Sequence, residues 1–154
     1  MHRNCELVQE QLVAAGLPGR VRILPEAAPT AQAAADQIGC PVGAIANSLV
    51  FATADGRPML IMTSGVHRVD LARVGAELGM TLRRASPQFV LEHTGQPIGG
   101  VAPIGHPSPI STVVDRDLAA YGELWAAGGI PHAVFPLHYA ELLTLTDGRE
   151  LAVA

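Results

Sequence analysis

The chain has 154 residues, a net charge of −4 and no lysine, all ten basic residues being arginine. That absence excludes P-loop NTPases, protein kinases, pyridoxal-phosphate enzymes and Schiff-base aldolases, each of which needs a lysine amine. The acidic balance disfavours broad contact with a nucleic-acid backbone, so any RNA contact is expected to be local, through a few arginines and a pocket for one end.

The length fits a single domain over residues 1–154. No apolar run reaches the ~18 residues needed to cross a bilayer. The opening MHRNCELVQEQLVAAG interrupts its apolar residues with Glu and Gln, so it reads as an amphipathic helix and not a secretory leader. Leu7, Val8, Leu12 and Val13 recur at helical spacing, and Gly16 and Pro18 stop that helix. Val21 to Leu24 alternates as a short strand. Thr30 is the expected N-cap of the run AQAAADQI, which Gly39 closes. The apolar runs IANSLVF and MLIMTS flank ATADGRP, whose Asp55-Gly56 pair signals a hairpin. VDLARVGAEL is helical in period, capped by Asp70 and ended by Gly79; Ser86 caps PQFVLEH with Pro87 at its first position. Gly95 to Pro109 is a constrained loop rich in glycine and proline. ISTVVD then reads as a strand, DRDLAAY as a short helix, ELWAAGG as a strand entering a turn, HAVFPL as a strand and HYAELLTL as a closing helix, before a DG turn and ELAVA. Strands and helices interleave around at least one hairpin, which predicts an α/β fold with a mixed sheet layered by helices.

Cys5 and Cys40 stand far apart with no CxxC pattern, so neither a disulfide framework nor structural zinc is expected, and the setting expected is a reduced, cytoplasmic one. The six histidines show no HxH or HExxH spacing, and no GxSxG elbow precedes Ser64; neither a catalytic metal, nor another cofactor, nor a protein nucleophile is expected. Four strings remain as candidate chemistry. In GGVAPIGH, paired glycines let backbone approach a ligand and successive N–H groups can form an anion nest, although such a string is also an ordinary rigid turn. In IANSLVF, Asn47 and Ser48 are adjacent and so face opposite sides of a strand; one of them must point at core or cleft, unless the strand ends there. SGVHRVD places Ser64, Gly65, His67 and Arg68 at the mouth of a strand, where Arg68 can meet a phosphate or a carboxylate. His132 opens the strand HAVF, where an imidazole can orient water or simply pack.

Taken in order, IANSLVF, SGVHRVD, FVLEHTGQPIGGVAPIGH, DRDL and GGIPHAVF resemble the landmarks of the YbaK-type editing domains associated with prolyl-tRNA synthetases, from about Thr30 to Leu145. The resemblance implies a mixed, partly barrel-like sheet flanked by helices, and a free-standing hydrolase that deacylates tRNA mischarged with a small amino acid, typically Ala or Cys on tRNA for proline. It also implies the tRNA acceptor end, and a synthetase, as partners, with no membrane. By the same resemblance the loop Gly99 to Pro103 binds the terminal adenosine and the aminoacyl ester, and His132 lines the aminoacyl pocket. The catalytic set expected is Asn47, Gly99, Gly100 and His132; the substrate-binding set is Ser48, Ser64, Gly65, Arg68, Val101, Pro103, Gly105 and His106.

One position departs from the pattern. The family usually carries lysine where this chain has Asn47. Losing a charge-assisted contact in a dry site costs on the order of 1.5–3 kcal/mol, or roughly 10- to 150-fold in rate if the contact forms only in the transition state. An activated ester needs positioning more than a strong nucleophile, so backbone amides between Gly99 and Gly105 can polarise its carbonyl while water attacks. Two other readings stand beside this one: a relative that binds a tRNA end without cleaving it, and a hydrolase of some other small ester.

Overall fold

The computed structural model describes residues 1–154. The helices are α1 (Arg3–Ala14), α2 (Ala31–Ile38), α3 (Leu71–Leu78), α4 (Pro87–Thr94) and α5 (Tyr139–Thr146). The strands are β1 (Arg22–Ile23), β2 (Ile45–Thr53), β3 (Pro58–Ser64), β4 (Leu82–Arg84), β5 (Ser111–Asp115), β6 (Leu124–Ala127), β7 (Ala133–Leu137) and β8 (Arg149–Leu151). All eight join one mixed sheet in the order β1-β7-β6-β2-β3-β5-β8, with β4 branching from β2. The sheet stays open, with β1 and β8 at its two ends.

Local chemistry sets the helix boundaries. The side chains of Thr30, Asp70 and Ser86 accept from the amides of Ala33, Arg73 and Phe89, each at 3.1 Å. Such caps satisfy donors that a helix's first turn leaves open and are worth about 1 kcal/mol each. Gly39, Gly79 and Gly95 close α2, α3 and α4 in the left-handed region. The DRDLAAY segment forms a 3-10 turn over Arg116–Ala120, where a short helix is expected, and Asp115 caps it.

Strand β3 explains why MLIM reads as an unbroken apolar run. Leu60 and Met62 enter a core with α1, α4, α5 and the 101–104 loop, while Met59 and Ile61 enter a second core with Val74 of α3 and Leu82 of β4. A strand buried on both faces has no polar alternation to show. Ala34 and Ala35 of α2 pack on Ile45 in a third, small cluster.

The edges of β2 decide where a ligand can enter. One side pairs with β3 along its whole length, from Ala46↔Ser64 to Ala52↔Pro58. The other side pairs with β6 only at Ile45 and Ala46, and with β4 only at Phe51, Ala52 and Thr53. Residues 47–50 therefore have no strand beside them on that side. The sheet opens at this gap, and the Gly95–Pro109 loop lies against it.

Candidate active site

Two hollows meet at the gap. The smaller, about 90 Å³, is lined by Pro29, Ala31, Ala34, Ile45, Trp125 and Pro131 among others. The larger, about 460 Å³, is lined by Phe51, Arg68, Val69, Arg84, Ile98 and Val101 among others. Pro29, Asn47 and Gly99 line both, and so form the neck between them. The side chain of Asn47 is exposed and makes no hydrogen bond within the chain. Ser48 also lines the larger hollow, its hydroxyl donating to Met62 Sδ at 3.1 Å.

The loop behind the neck is held from within. Gln96, 1 % exposed, donates from Nε2 to Ile104 O at 3.0 Å and accepts from Ala102 N at 2.6 Å. Gly100 N donates to Pro97 O at 2.9 Å, and Gly105 N donates to Gln11 Oε1 at 3.0 Å, tying the loop to α1. The amides of Gly100, Ala102 and Gly105 are thus committed, whereas those of Gly99 and Val101 have no partner within the chain, and both residues line the cleft. On the cleft side, the nest expected over Gly99 to Gly105 narrows to these two donors, since Ile104, whose amide is also unpaired, lines a separate hollow. Gly100 matters for packing instead. A Cβ there would stand 2.4 Å from Ile130 C, so glycine lets the loop lie directly on the 130–131 backbone.

Ser64 and Gly65 serve the frame. Ser64 Oγ donates to Gly43 O at 2.7 Å, and a Cβ on Gly65 would stand 2.4 Å from Val42 O. Asp115, fully buried, is the hub beneath them: its carboxylate accepts from Ser64 N at 2.9 Å and Asp117 N at 3.0 Å, and lies 2.7 Å from His67 Nδ1. Several donors on one carboxylate offset the cost of burying its charge. His67 Nε2 is also 3.5 Å from Asp117 Oδ2, so His67, Asp115 and Asp117 gather three groups of metal-ligand type that no sequence spacing announces. The hydrogen bonds on Asp115 account for this cluster as a lock on the loop that presents Arg68.

Pro103, Gly105 and His106 line a separate hollow of about 230 Å³ on the side of the loop facing Gln11. His106 Nε2 lies 2.8 Å from Ala102 O, and burial holds its imidazole pKa below the ordinary value. His132 lines neither compartment, although its chain neighbours Pro131 and Ala133 line the smaller one; its carbonyl accepts from Leu24 N at 2.6 Å. A further hollow of about 460 Å³, bounded by Met59, Leu78, Thr112 and Arg149, shares no residue with the cleft. Of the expected residues, the fold brings together Asn47, Ser48, Arg68, Gly99 and Val101. Sequence reading missed Pro29 and Trp125, which carry no local signal; Arg84, which with Arg68, Arg73 and Arg83 reads equally as an RNA-facing patch or a solvated face, reaches the cleft through the pairing Phe51↔Arg84, and Trp125 through Ile45↔Trp125.

Residues 25–145 match the family described as the aminoacyl-tRNA editing domain. The chain belongs to that family. A solved structure described as a candidate trans-editing enzyme for prolyl tRNA synthetase superposes with a TM-score of 0.93 at 40% identity, covering 99% of this chain and 98% of that one. The uncharacterized protein YwhH of Bacillus subtilis (strain 168) is 32% identical over 113 residues, 73% of this chain and 72% of YwhH. The proline–tRNA ligase of Delftia acidovorans (strain DSM 14801 / SPH-1) is 30% identical over 110 residues, 64% of this chain but 19% of the ligase. The fold described above is that of an editing domain, and no helix in it is long and apolar enough to cross a membrane.

Proposed function

We propose that this editing domain is a trans-acting hydrolase that deacylates a mischarged tRNA carrying a small amino acid, of the Ala- or Cys-tRNA(Pro) kind, presented as a free 3′ end or by a synthetase. The observation that supports this most is the neck: a side-chain-sized hollow and a nucleoside-sized one meet at Asn47 and Gly99. An aminoacyl ester joins a small side chain to a ribose at a single carbonyl, and the neck is where that carbonyl would lie. The larger hollow falls within the usual 300–1,000 Å³ range of ligand pockets. The smaller, at about 90 Å³, has the scale of a small side chain, so bulky side chains are disfavoured there sterically.

In this reading, the amides of Gly99 and Val101 polarise the ester carbonyl and stabilise the oxyanion that forms on it. Asn47 orients the attacking water or the ribose hydroxyls. Water adds to the carbonyl carbon, the acyl–oxygen bond breaks, and the ribose oxygen leaves with a proton. No His, Asp or Glu lines either compartment, so the proton passes through water or the neighbouring ribose hydroxyl.

That same lack of a titrating side chain, together with neutral Asn47, favours a second reading, in which the cleft binds a charged tRNA end without cleaving it. A deacylation panel with purified protein and tRNAs mischarged with Gly, Ala, Ser, Cys, Val and Leu separates the two. Hydrolysis of a small-residue ester well above its spontaneous rate supports the hydrolase. Tight binding with no turnover selects the second reading, and the absence of both binding and turnover contradicts each of them.

A further inference from the structure

We infer that Arg68 and Arg84 form a clamp for the phosphodiester of a single-stranded RNA end, placed on the larger compartment so that it fixes the nucleotide whose ester lies at the neck; this rests on the functional reading above. Arg68 comes from the loop after β3 and Arg84 from β4, opposite Phe51, so two separate elements each contribute an arginine to the lining of one hollow. No acidic residue lines it. Neither side chain makes an ion pair or a hydrogen bond within the chain. Most of the other arginines are engaged. Arg3 and Arg57 pair with carboxylates, Arg20 and Arg73 donate to carbonyls, and Arg22 lies over the Trp125 ring. In a chain with more acidic than basic residues, two unpartnered guanidiniums on one cavity call for an anion from outside.

The surroundings select which anion. Phe51, Val69, Ala85, Val90 and Ile98 give the same hollow apolar walls, which suit a nucleobase or sugar face but not a bare inorganic ion. A guanidinium presents a planar fork of donors that matches two phosphate oxygens, and two such forks match a diester. The backbone beneath Arg68 is fixed at both ends: His67 is held by Asp115, and Asp70 caps α3 and donates its amide to Val153 O at 2.8 Å. Arg84 is fixed by the strand pairing of β4 with β2. The clamp also gives the cleft a positive charge although Asn47, on β2, is neutral.

The test compares full-length wild-type protein with Arg68→Gln, Arg84→Gln and the double variant, on two alanyl esters: one of adenosine, without phosphate, and one of the trinucleotide CCA. For the wild type, KM should be lower on the trinucleotide. In the double variant that advantage should shrink by roughly 10-fold or more, since each lost charge-assisted contact is of that order. The dependence of log KM for the trinucleotide on log salt should flatten by roughly one unit. A double variant that keeps the trinucleotide advantage, or that loses activity equally on both esters, overturns the clamp. Should the wild type hydrolyse neither ester, the hydrolase reading fails by itself, and fluorescence anisotropy with labelled, uncharged CCA then decides the clamp. Weaker binding by the double variant, with AMP but not adenosine competing, supports it; equal binding by both proteins overturns it.

Discussion

Replacing Gly100 by alanine tests whether the cleft depends on how closely the loop lies on the 130–131 turn. The added Cβ would stand 2.4 Å from Ile130 C, 2.5 Å from Ile130 Cα and 2.7 Å from Pro131 N, all backbone atoms that cannot swing aside. Ordinary contact begins near 3.4 Å, so the two segments must separate by about 1 Å. Overpacking of this kind costs about 1–3 kcal/mol. For a domain of this size each kcal/mol lowers Tm by about 2–4 °C. The same displacement moves the Gly99 and Val101 amides relative to Asn47, and a 1 Å misplacement of positioning groups can cost about 100-fold in rate. The expected outcome is a folded protein with a lower Tm and a deacylation rate reduced by about 100-fold. Gly122→Ala is the control, because a Cβ there meets nothing within 4 Å. If Gly100→Ala matches wild type in both Tm and rate, this contact does not position the loop.

Asn47→Lys restores a cation at the neck, and deacylation should rise by about 10-fold; an unchanged or lower rate would mean that the site works without charge at that point. Ala31→Leu puts an isobutyl group into the 90 Å³ compartment and should reduce kcat/KM for an alanyl ester by more than about 10-fold while sparing a glycyl ester; equal loss on both esters contradicts the assignment of that hollow to the amino-acid side chain. His106 is partly buried, and desolvation depresses its pKa below the ordinary histidine value of 6.5. As pH falls below about 6.5, the unfolded chain takes up a proton that the folded chain resists, so the stability present above that pH is lost. His106→Gln, which keeps a donor for Ala102 O, should flatten the fall in urea midpoint between pH 7.5 and 5; an identical slope in both proteins refutes the contribution.

The fold is legible wherever the signal is local. Caps at Thr30, Asp70 and Ser86, glycines at 39, 79 and 95, and the Asp55-Gly56 turn are read from neighbours in sequence, and the structure uses each of them. β4 is not legible: its three residues, Leu82, Arg83 and Arg84, form a strand only because β2 offers them an edge. The site divides in the same way. Asn47, Ser48, Arg68, Gly99 and Val101 sit in quotable strings, and they reach the cleft. Trp125 and Arg84 arrive through long-range pairing, and they and Pro29 have no motif of their own. Motif membership also fails to say which way a side chain faces. His106 lies in the most specific string of the chain, yet it turns to Ala102 O on the far side of the loop. Gln96, in that same string, looks like filler in the sequence, although it holds the loop together through both ends of its amide.

The functional reading depends above all on two unpaired amides of the cleft, that of Gly99 at its neck and that of Val101 beside it, and an amide NMR titration addresses them without intermediaries. With ¹⁵N-labelled protein and a non-hydrolysable 3′-alanylamino-3′-deoxyadenosine, the Gly99 and Val101 resonances should move downfield together as they gain an acceptor, while those of Ala102 and Gly105, already bonded to Gln96 and Gln11, stay nearly fixed. Saturable binding that leaves Gly99 and Val101 unmoved would show that these amides do not hold the ester.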